Sequence, residues 1–118
     1  MNDKQAIIYA ALHGGRFVMV DEEDHKVGAA LAEVGFLTER SFRDVRFLTP
    51  VGWVSAHVRL ERAIQDLLWA RRRGNANIIF TPNVNVAYIV FVESGSRLRA
   101  QVELDADYNV ILTNETWS

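Results

Sequence analysis

The feature that most constrains this chain is a long helical pattern between two boundary signals. Thr49-Pro50 places a hydroxyl side chain at a helix N-cap and proline at the first helical position, where its fixed φ and missing N–H are tolerated. Gly74 supplies the stop. A helix over residues 50–73 would measure about 36 Å from its rise per residue. We expect this helix to form the spine of the fold.

The apolar residues of this helix predict the face that it buries. They recur at intervals of three and four, which places them along one side. The predicted stripe consists of Trp53, His57, Leu60, Ile64 and Leu67, widened by Val54, Val58 and Leu68. His57 is therefore expected to be a core or boundary histidine that bonds the backbone, rather than a ligand or proton carrier.

Shorter elements precede the long helix. Helical spacing predicts a helix over residues 3–13, closed by a pair of glycines, and a second helix that opens at the acids of residues 21–24 and ends at Gly35. Between them lies a β-prone run over residues 16–20. Residues 36–48 are predicted to form a hairpin with its tip around Arg40-Ser41.

After Gly74 the hydrophobic period changes from that of a helix to that of a strand. Strands are predicted over residues 77–80, 84–92, 97–104 and 108–113, with the later half of the second strand buried on both sides. The expected class is therefore α+β: N-terminal helices with a small β-hairpin, one long central helix and a C-terminal antiparallel β-meander.

The length of 118 residues and a hydrophobic fraction of 49% suit one folded domain over residues 1–118. A sub-division is the alternative, with a helical and hairpin part over residues 1–74 and a sheet over residues 75–118. A formal net charge of −2 provides no overall attraction to nucleic acid or to a membrane surface.

The charges are nevertheless unevenly distributed. Residues 1–39 carry seven acids against three bases, whereas residues 40–74 carry eight arginines against three acids. The acidic candidates for partner binding are Asp21, Glu22, Glu23 and Asp24. The basic candidates, for a protein or a nucleic acid partner, are Arg40, Arg43, Arg46, Arg59, Arg62, Arg71, Arg72 and Arg73. Arginine makes planar, bidentate contacts with carboxylates and phosphates, so each cluster suits a partner of opposite charge.

The composition argues against most catalytic chemistry. The chain has no cysteine, which excludes disulfides and thiolate chemistry, and its three histidines are not spaced as ligands on one helix face. No nucleophile motif or phosphate-binding loop is present. We therefore expect no catalytic residue, metal or cofactor, and a protein that is not an enzyme. The polar start and the lack of a long apolar segment predict a cytoplasmic protein without membrane contact.

One stretch resembles a known family. The residues that carry the resemblance are Leu31-Ala32-Glu33-Val34-Gly35-Phe36-Leu37, then the hairpin, then Leu48-Thr49-Pro50-Val51-Gly52. They resemble the recognition helix, the wing and the following helix of winged-helix domains. The resemblance implies DNA binding, with Arg40 and Arg43 at the wing tip and Arg46 on its return strand. A strand at residues 16–20 stands where such domains have a second helix. The acids at residues 21–24 would repel phosphates.

The most favoured function is a non-catalytic binding module that acts through protein–protein contacts, such as a small cytosolic regulator, inhibitor or immunity-type protein. The alternative is a winged-helix-like, DNA-binding transcriptional regulator that uses the arginine-rich hairpin and helix. A third hypothesis is a homodimer that pairs through the edges of the last two strands.

Overall fold

In a computed structural model, which describes residues 1–118, the chain forms three helices and six strands. The helices are α1 (Asp3–Leu12), α2 (Glu22–Glu33) and α3 (Pro50–Ala70). The strands are β1 (Arg16–Val18), β2 (Val45–Phe47), β3 (Ala76–Phe80), β4 (Val86–Phe91), β5 (Arg97–Leu104) and β6 (Val110–Trp117). This order confirms the predicted α+β class, with a small hairpin before the long helix and an antiparallel meander after it.

The backbone groups into two compact units, residues 1–59 and residues 60–118. The division falls inside α3, directly after Arg59, so each unit contains one half of that helix. The expectation of one domain, with a sub-division after residue 74, stays a prediction.

Unit 1 is built on two capped helices and a small sheet. A reciprocal pair of hydrogen bonds between Asn2 and Gln5 forms a capping box at the start of α1. Helix α1 contacts both β1 and α2. The largest fully buried side chains of this unit are Ile7, Phe17 and Leu37. These residues anchor α1, β1 and the start of the hairpin, where Leu37 bridges to Leu48, in one apolar core.

Helix α2 begins and ends as the sequence predicts. Asp21 is its N-cap, and the Asp21 carboxylate accepts a hydrogen bond from the backbone N–H of Asp24. Gly35 follows the end of the helix with a φ of +83°. A side chain is strained in that left-handed region, so glycine is the favoured residue at this helix end.

The hairpin turns at Arg43-Asp44 rather than at residues 40–41. Phe42 and Val45 exchange two backbone hydrogen bonds, of 2.8 and 3.0 Å, and the two residues between them have φ values of +50° and +62°. Two positive φ values in a two-residue loop define a type I′ turn. The predicted tip was wrong because this turn lacks the Asn-Gly or Asp-Gly pair that usually marks it.

Helix α3 begins at the predicted signal. The Thr49 hydroxyl oxygen accepts a hydrogen bond of 3.1 Å from the backbone N–H of Gly52, as an N-cap does. The fully buried residues of the helix are Ala56, Leu60, Ile64 and Leu68. They recur strictly every four residues, whereas the predicted stripe combined two neighbouring sides of the helix. The placement of His57, Val54 and Val58 in that stripe was wrong, because all three are exposed.

Helix α3 ends at Ala70, before the predicted end at Arg73. Arg72 has a φ of +58°, and its N–H donates to the carbonyl of Trp69. The N–H of Arg73 donates to the carbonyl of Leu68, five residues back. These two bonds are those of a Schellman motif, in which one residue takes the left-handed conformation. The helix stops early because that residue is Arg72, rather than the glycine two positions later.

Unit 2 contains a four-stranded antiparallel sheet in the order β3-β4-β5-β6, which confirms the meander. The residues of its central strands that face the core are Ala87, Ile89, Phe91, Leu98, Ala100 and Val102. Strand β4 is buried on this face only, since Tyr88 on its other face is exposed, as is Val92 directly after the strand. The prediction of burial on both sides was therefore wrong.

The last strand is longer than predicted and begins later. Tyr108 lies in the preceding turn with a φ of +62°, and β6 then extends to Trp117, which pairs with Leu98. The Trp117 ring stacks on Phe91 with centroids 5.5 Å apart. A bulge at Asn114, whose φ is +49°, interrupts the pairing with β5. This bulge lets the strand continue past the predicted end and dock its tryptophan.

Candidate binding surfaces

Two of the four acids predicted to bind a partner are used to start α2. The Asp21 carboxylate accepts the N–H of Asp24 at 2.8 Å, and the Asp24 carboxylate accepts the N–H of Val20 at 3.0 Å. Glu22 and Glu23 are exposed and make no hydrogen bond or ion pair. The cluster therefore leaves two carboxylates fully available to a basic partner.

The three arginines of the hairpin have three different environments. Arg46 is half-buried, and its guanidinium donates to the carbonyls of Thr38 at 2.9 Å and Glu39 at 2.6 Å. Arg43 lies in the turn, with its guanidinium 5.4 Å from the centroid of the neighbouring phenylalanine ring. Arg40 is exposed. Arg46 thus holds the hairpin together, while Arg40 and Arg43 remain open to solvent.

The acidic start of α2 contacts the hairpin turn through one side-chain pair. Nε2 of His25 lies 3.6 Å from Oδ1 of Asp44, and both side chains are largely exposed. Asp44 directly follows Arg43 in the turn, so a carboxylate accompanies the guanidinium at the hairpin tip. Carboxylates here reduce the attraction of this surface for phosphates.

The arginines of α3 make contacts within the helix. Nε of Arg59 donates to Oγ of Ser55 at 3.0 Å. Nε of Arg62 lies 3.2 Å from the carboxylate of Asp66, and its guanidinium lies 5.7 Å from the ring centroid of Trp69. Arg59 belongs to unit 1 and Arg62 to unit 2.

Two of the three arginines that follow α3 make side-chain contacts within unit 2. Arg71 forms an ion pair of 2.6 Å with Glu115 on β6. Arg73 places its guanidinium 4.9 Å from the centroid of the Trp117 ring. Arg72 supplies the left-handed residue of the helix end. These contacts join the end of the helix to the last strand of the sheet.

A row of exposed valines on α3 was not predicted as a surface. Val51, Val54 and Val58 are 59%, 66% and 62% exposed. Their spacing of three and four residues places them on one side of the helix. The same spacing is visible in the sequence, but Val54 and Val58 were assigned to the buried side and Val51 to neither side, because the sequence alone does not show which apolar stripe of a helix is packed.

The outer face of the unit 2 sheet carries a second surface that the sequence analysis missed. One row across the strands contains Ile79, Tyr88, Arg99 and Thr116, paired in that order. Arg97 lies on the same face, opposite Val90. The alternation of residues 97–104 did indicate that both arginines point away from the core. Only the strand pairing reveals that they adjoin an exposed tyrosine.

The remaining geometry offers no metal centre. No group of three or more histidine or carboxylate side chains lies close enough to hold a metal ion. No helix of the protein is both long and apolar enough to cross a membrane.

No protein-family model matches the chain, and searches of curated proteins and of solved structures gave no significant match.

Proposed function

We propose that the protein is a non-catalytic binding module that acts through protein–protein contacts, as a small cytosolic regulator, inhibitor or immunity-type protein. The observation that carries the proposal is the valine row of α3, formed by Val51, Val54 and Val58. All three side chains are more than half exposed on one side of a helix in unit 1. A row of aliphatic side chains provides no charge or hydrogen bond for a nucleic acid, whereas it suits the apolar groove or helix of a protein.

The energetics favour burial of this row by a partner. Complete burial of a valine side chain is worth about 1.5 kcal/mol or more, so three of them would form the apolar centre of an interface. Glu22 and Glu23 supply two unpaired carboxylates in the same unit. Charges of this kind accelerate encounter and select a partner with basic residues. The proposed partner is therefore a protein with an apolar contact site and a basic neighbourhood.

A site-specific crosslink tests the proposal. Val54→p-benzoylphenylalanine places a photoreactive group in the row, and Asp66→p-benzoylphenylalanine places it at an exposed polar position on another side of the same helix. We expect illumination in the source cells to give one adduct of defined mass from position 54 and none from position 66. An adduct of twice the chain mass would identify a second copy as the partner, in agreement with the homodimer hypothesis.

The partner identified in this way is then purified and titrated. Val51→Lys combined with Val58→Lys should weaken its binding by more than about tenfold, because two aliphatic contacts are lost and two charges are desolvated. Asp66→Lys is the control and should leave the affinity within about twofold, because this exposed residue lies on another side of the helix. Equal adducts from positions 54 and 66, or equal affinities of the valine and control variants, would overturn the proposal.

Duplex DNA binding is the second candidate, and the hairpin geometry favours it. β1 pairs with β2, and Leu37 bridges to Leu48. A small sheet therefore supports an exposed turn, an arrangement similar to the wing of winged-helix domains. Arg40 and Arg43 are the open arginines of this turn. Both guanidinium groups can contact phosphates, since neither arginine is paired with a carboxylate.

A salt titration tests the DNA-binding candidate. The protein is titrated against a labelled random duplex at about 50 and about 200 mM salt, where phosphate contacts lose affinity steeply as salt rises. Arg40→Ala combined with Arg43→Ala should abolish most of the binding, whereas Glu39→Gln leaves it intact. Arg46 is kept, because its loss would disrupt the hairpin itself. No binding at the lower salt concentration would remove this candidate.

A further inference from the structure

The outer face of the unit 2 sheet combines an exposed aromatic ring with two free cations. Tyr88 is 45% exposed at the centre of the sheet, and Ile79 beside it on the edge strand is 65% exposed. Arg99 lies directly opposite Tyr88 on the neighbouring strand, and Arg97 lies two residues away on the same face. An aromatic side chain flanked by guanidinium groups is therefore presented on a flat, rigid support.

Neither arginine is neutralised by a carboxylate. The ion pairs of unit 2 involve Arg62 and Arg71, not Arg97 or Arg99. Glu103 is the one acid on the same face of β5, and its carboxylate accepts a hydrogen bond from the hydroxyl of Thr113. Because two arginines outnumber this single acid, the charge along this face of β5 is positive, although the whole chain has a formal net charge of −2.

The arginine contact leaves the aromatic ring accessible. The Arg99 guanidinium lies over the Tyr88 ring, 5.9 Å from its centroid, at the outer limit of a cation–π contact. Tyr88 nevertheless remains 45% exposed, and the guanidinium makes no hydrogen bond within the chain, so its donors are available to another group. An open concavity of about 400 Å³ lies over the strands here, lined by Tyr88, Val90, Arg97, Arg99, Thr116 and Ser118 among others.

We propose that this face binds single-stranded nucleic acid, with a base stacked on Tyr88 and the adjoining phosphates held by Arg97 and Arg99. Every base has a π-face that stacks on an aromatic side chain, and guanidinium groups track the phosphates of the same strand. In a duplex the base faces are covered by their neighbours, so the ring favours an unpaired strand. This site is independent of the valine row and of the hairpin, and its proposal does not rest on either function above.

The test uses a fluorescently labelled oligodeoxythymidine of about 15 nucleotides, a length that covers one such binding site. Anisotropy titrations of the full chain at about 50 and about 150 mM salt should show binding that weakens as salt rises. Tyr88→Leu should weaken binding by about tenfold, because it keeps an apolar strand residue but removes the stacking ring. Tyr88→Phe keeps the ring and should retain the affinity.

The arginines are tested through the salt dependence. Arg97→Ala combined with Arg99→Ala should lower the slope of log affinity against log salt by about 1.4, the value for two phosphate contacts to a single strand. Lys4→Ala combined with Lys26→Ala is the matched control, since it also removes two positive charges, from exposed positions of α1 and α2. It should leave both the affinity and the slope unchanged. Circular dichroism of each variant establishes that the sheet remains folded.

Three results would overturn the proposal. One is the absence of binding to the oligodeoxythymidine at the lower salt concentration. Another is equal affinity of the wild type, Tyr88→Leu and the double arginine variant. The third is stronger binding to a duplex of the same length, lost on Arg40→Ala with Arg43→Ala, which would assign the nucleic acid to the hairpin.

Discussion

The hairpin of residues 36–48 and the segment that follows α3 each carry three arginines, but their main chains are held in different ways. The hairpin is fixed by backbone contacts: the N–H of Leu48 donates to the carbonyl of Gly15 at 2.8 Å, and the N–H of Thr49 donates to the carbonyl of Phe36 at 3.1 Å. Residues 71–73 are held to the helix by the backbone bonds of the Schellman motif, but side chains link them to the sheet, through the Arg71–Glu115 ion pair and the contact of the Arg73 guanidinium with the Trp117 ring.

The difference separates arginines that hold the fold from those that remain for a partner. In the hairpin only Arg46 has a structural role, because its guanidinium satisfies two backbone carbonyls. After α3 both Arg71 and Arg73 are engaged. A cluster of like charges in a sequence is thus not a binding surface as a whole. The tertiary contacts of each member decide which charges are available.

The strongest test of the backbone-held hairpin is Gly52→Ala. A Cβ at this position would overlap the backbone carbonyl oxygen of Phe36, so the hairpin and the start of α3 must separate. We expect the free energy of unfolding to fall by at least about 3 kcal/mol. Urea denaturation followed by tryptophan fluorescence measures the change.

Gly35→Ala is the matched control for that variant. Gly35 has a φ of +83°, but no atom lies within 4 Å of a Cβ built there. Only the backbone strain applies, and the expected loss is about 1 kcal/mol. Equal losses for the two glycines would show that the close approach at Gly52 does not constrain the hairpin.

Arg46→Ala tests the structural role of a hairpin arginine. It removes the one guanidinium nitrogen, Nη1, that donates to the carbonyls of both Thr38 and Glu39, and hydrogen bonding by a charged group is worth about 1.5 to 3 kcal/mol. We expect the free energy of unfolding to fall by about 1.5 to 3 kcal/mol. Arg40→Ala should change it by no more than about 0.5 kcal/mol, since that side chain is exposed. Similar losses in thermal or urea unfolding would contradict the division between the two arginines.

Arg72→Gly tests the strain in the segment after α3. The residue has a φ of +58°, which glycine adopts without steric cost. We expect the free energy of unfolding to rise by about 1 kcal/mol. Gly74→Ala, at a φ of +81°, should lower it by a similar amount and serves as the opposite control. If Arg72→Gly instead lowered the free energy of unfolding, the arginine side chain would stabilise the fold by more than its backbone strain destabilises it.

The smallest effect is expected at the ion pair of Arg71 with Glu115. The two side chains are 39% and 30% exposed, so solvent screens much of their attraction. A double-mutant cycle with Arg71→Ala and Glu115→Ala should give a coupling of about 0.5 kcal/mol that declines as salt rises. The cycle for Arg62 and Asp66, which are more exposed, should give a smaller value. A coupling independent of salt would indicate that packing, rather than charge, joins the helix end to β6.

Local signals in the sequence were sufficient for the order and class of the elements. Caps and glycines set the limits of α2 and the start of α3, and strict alternation predicted β5 to the residue. Each of these features depends on residues close together in the chain. The tip of the hairpin and the end of α3 could not be placed in this way, because Arg43, Asp44 and Arg72 adopt positive φ values that their side chains do not favour.

The candidate surfaces were predictable only in part. The sequence identified every arginine and acid, and it indicated that Arg97 and Arg99 point away from the core. It did not show that β5 is enclosed between β4 and β6, which excludes β5 as the free edge of the homodimer hypothesis and leaves β6 exposed at the edge. Strand order depends on contacts between distant residues, and no local pattern encodes it.

By itself, therefore, the sequence determined the α+β class, the caps of α2 and α3, and the residues that carry charge, since these follow from local backbone and side-chain chemistry. Only the tertiary structure decided which side of α3 is buried, that Arg46 belongs to the hairpin framework, and that Tyr88 adjoins Arg99. The physical reason is that burial and side-chain pairing are set by neighbours from elsewhere in the chain, and one apolar or charged stripe is locally equivalent to another until those neighbours are in place.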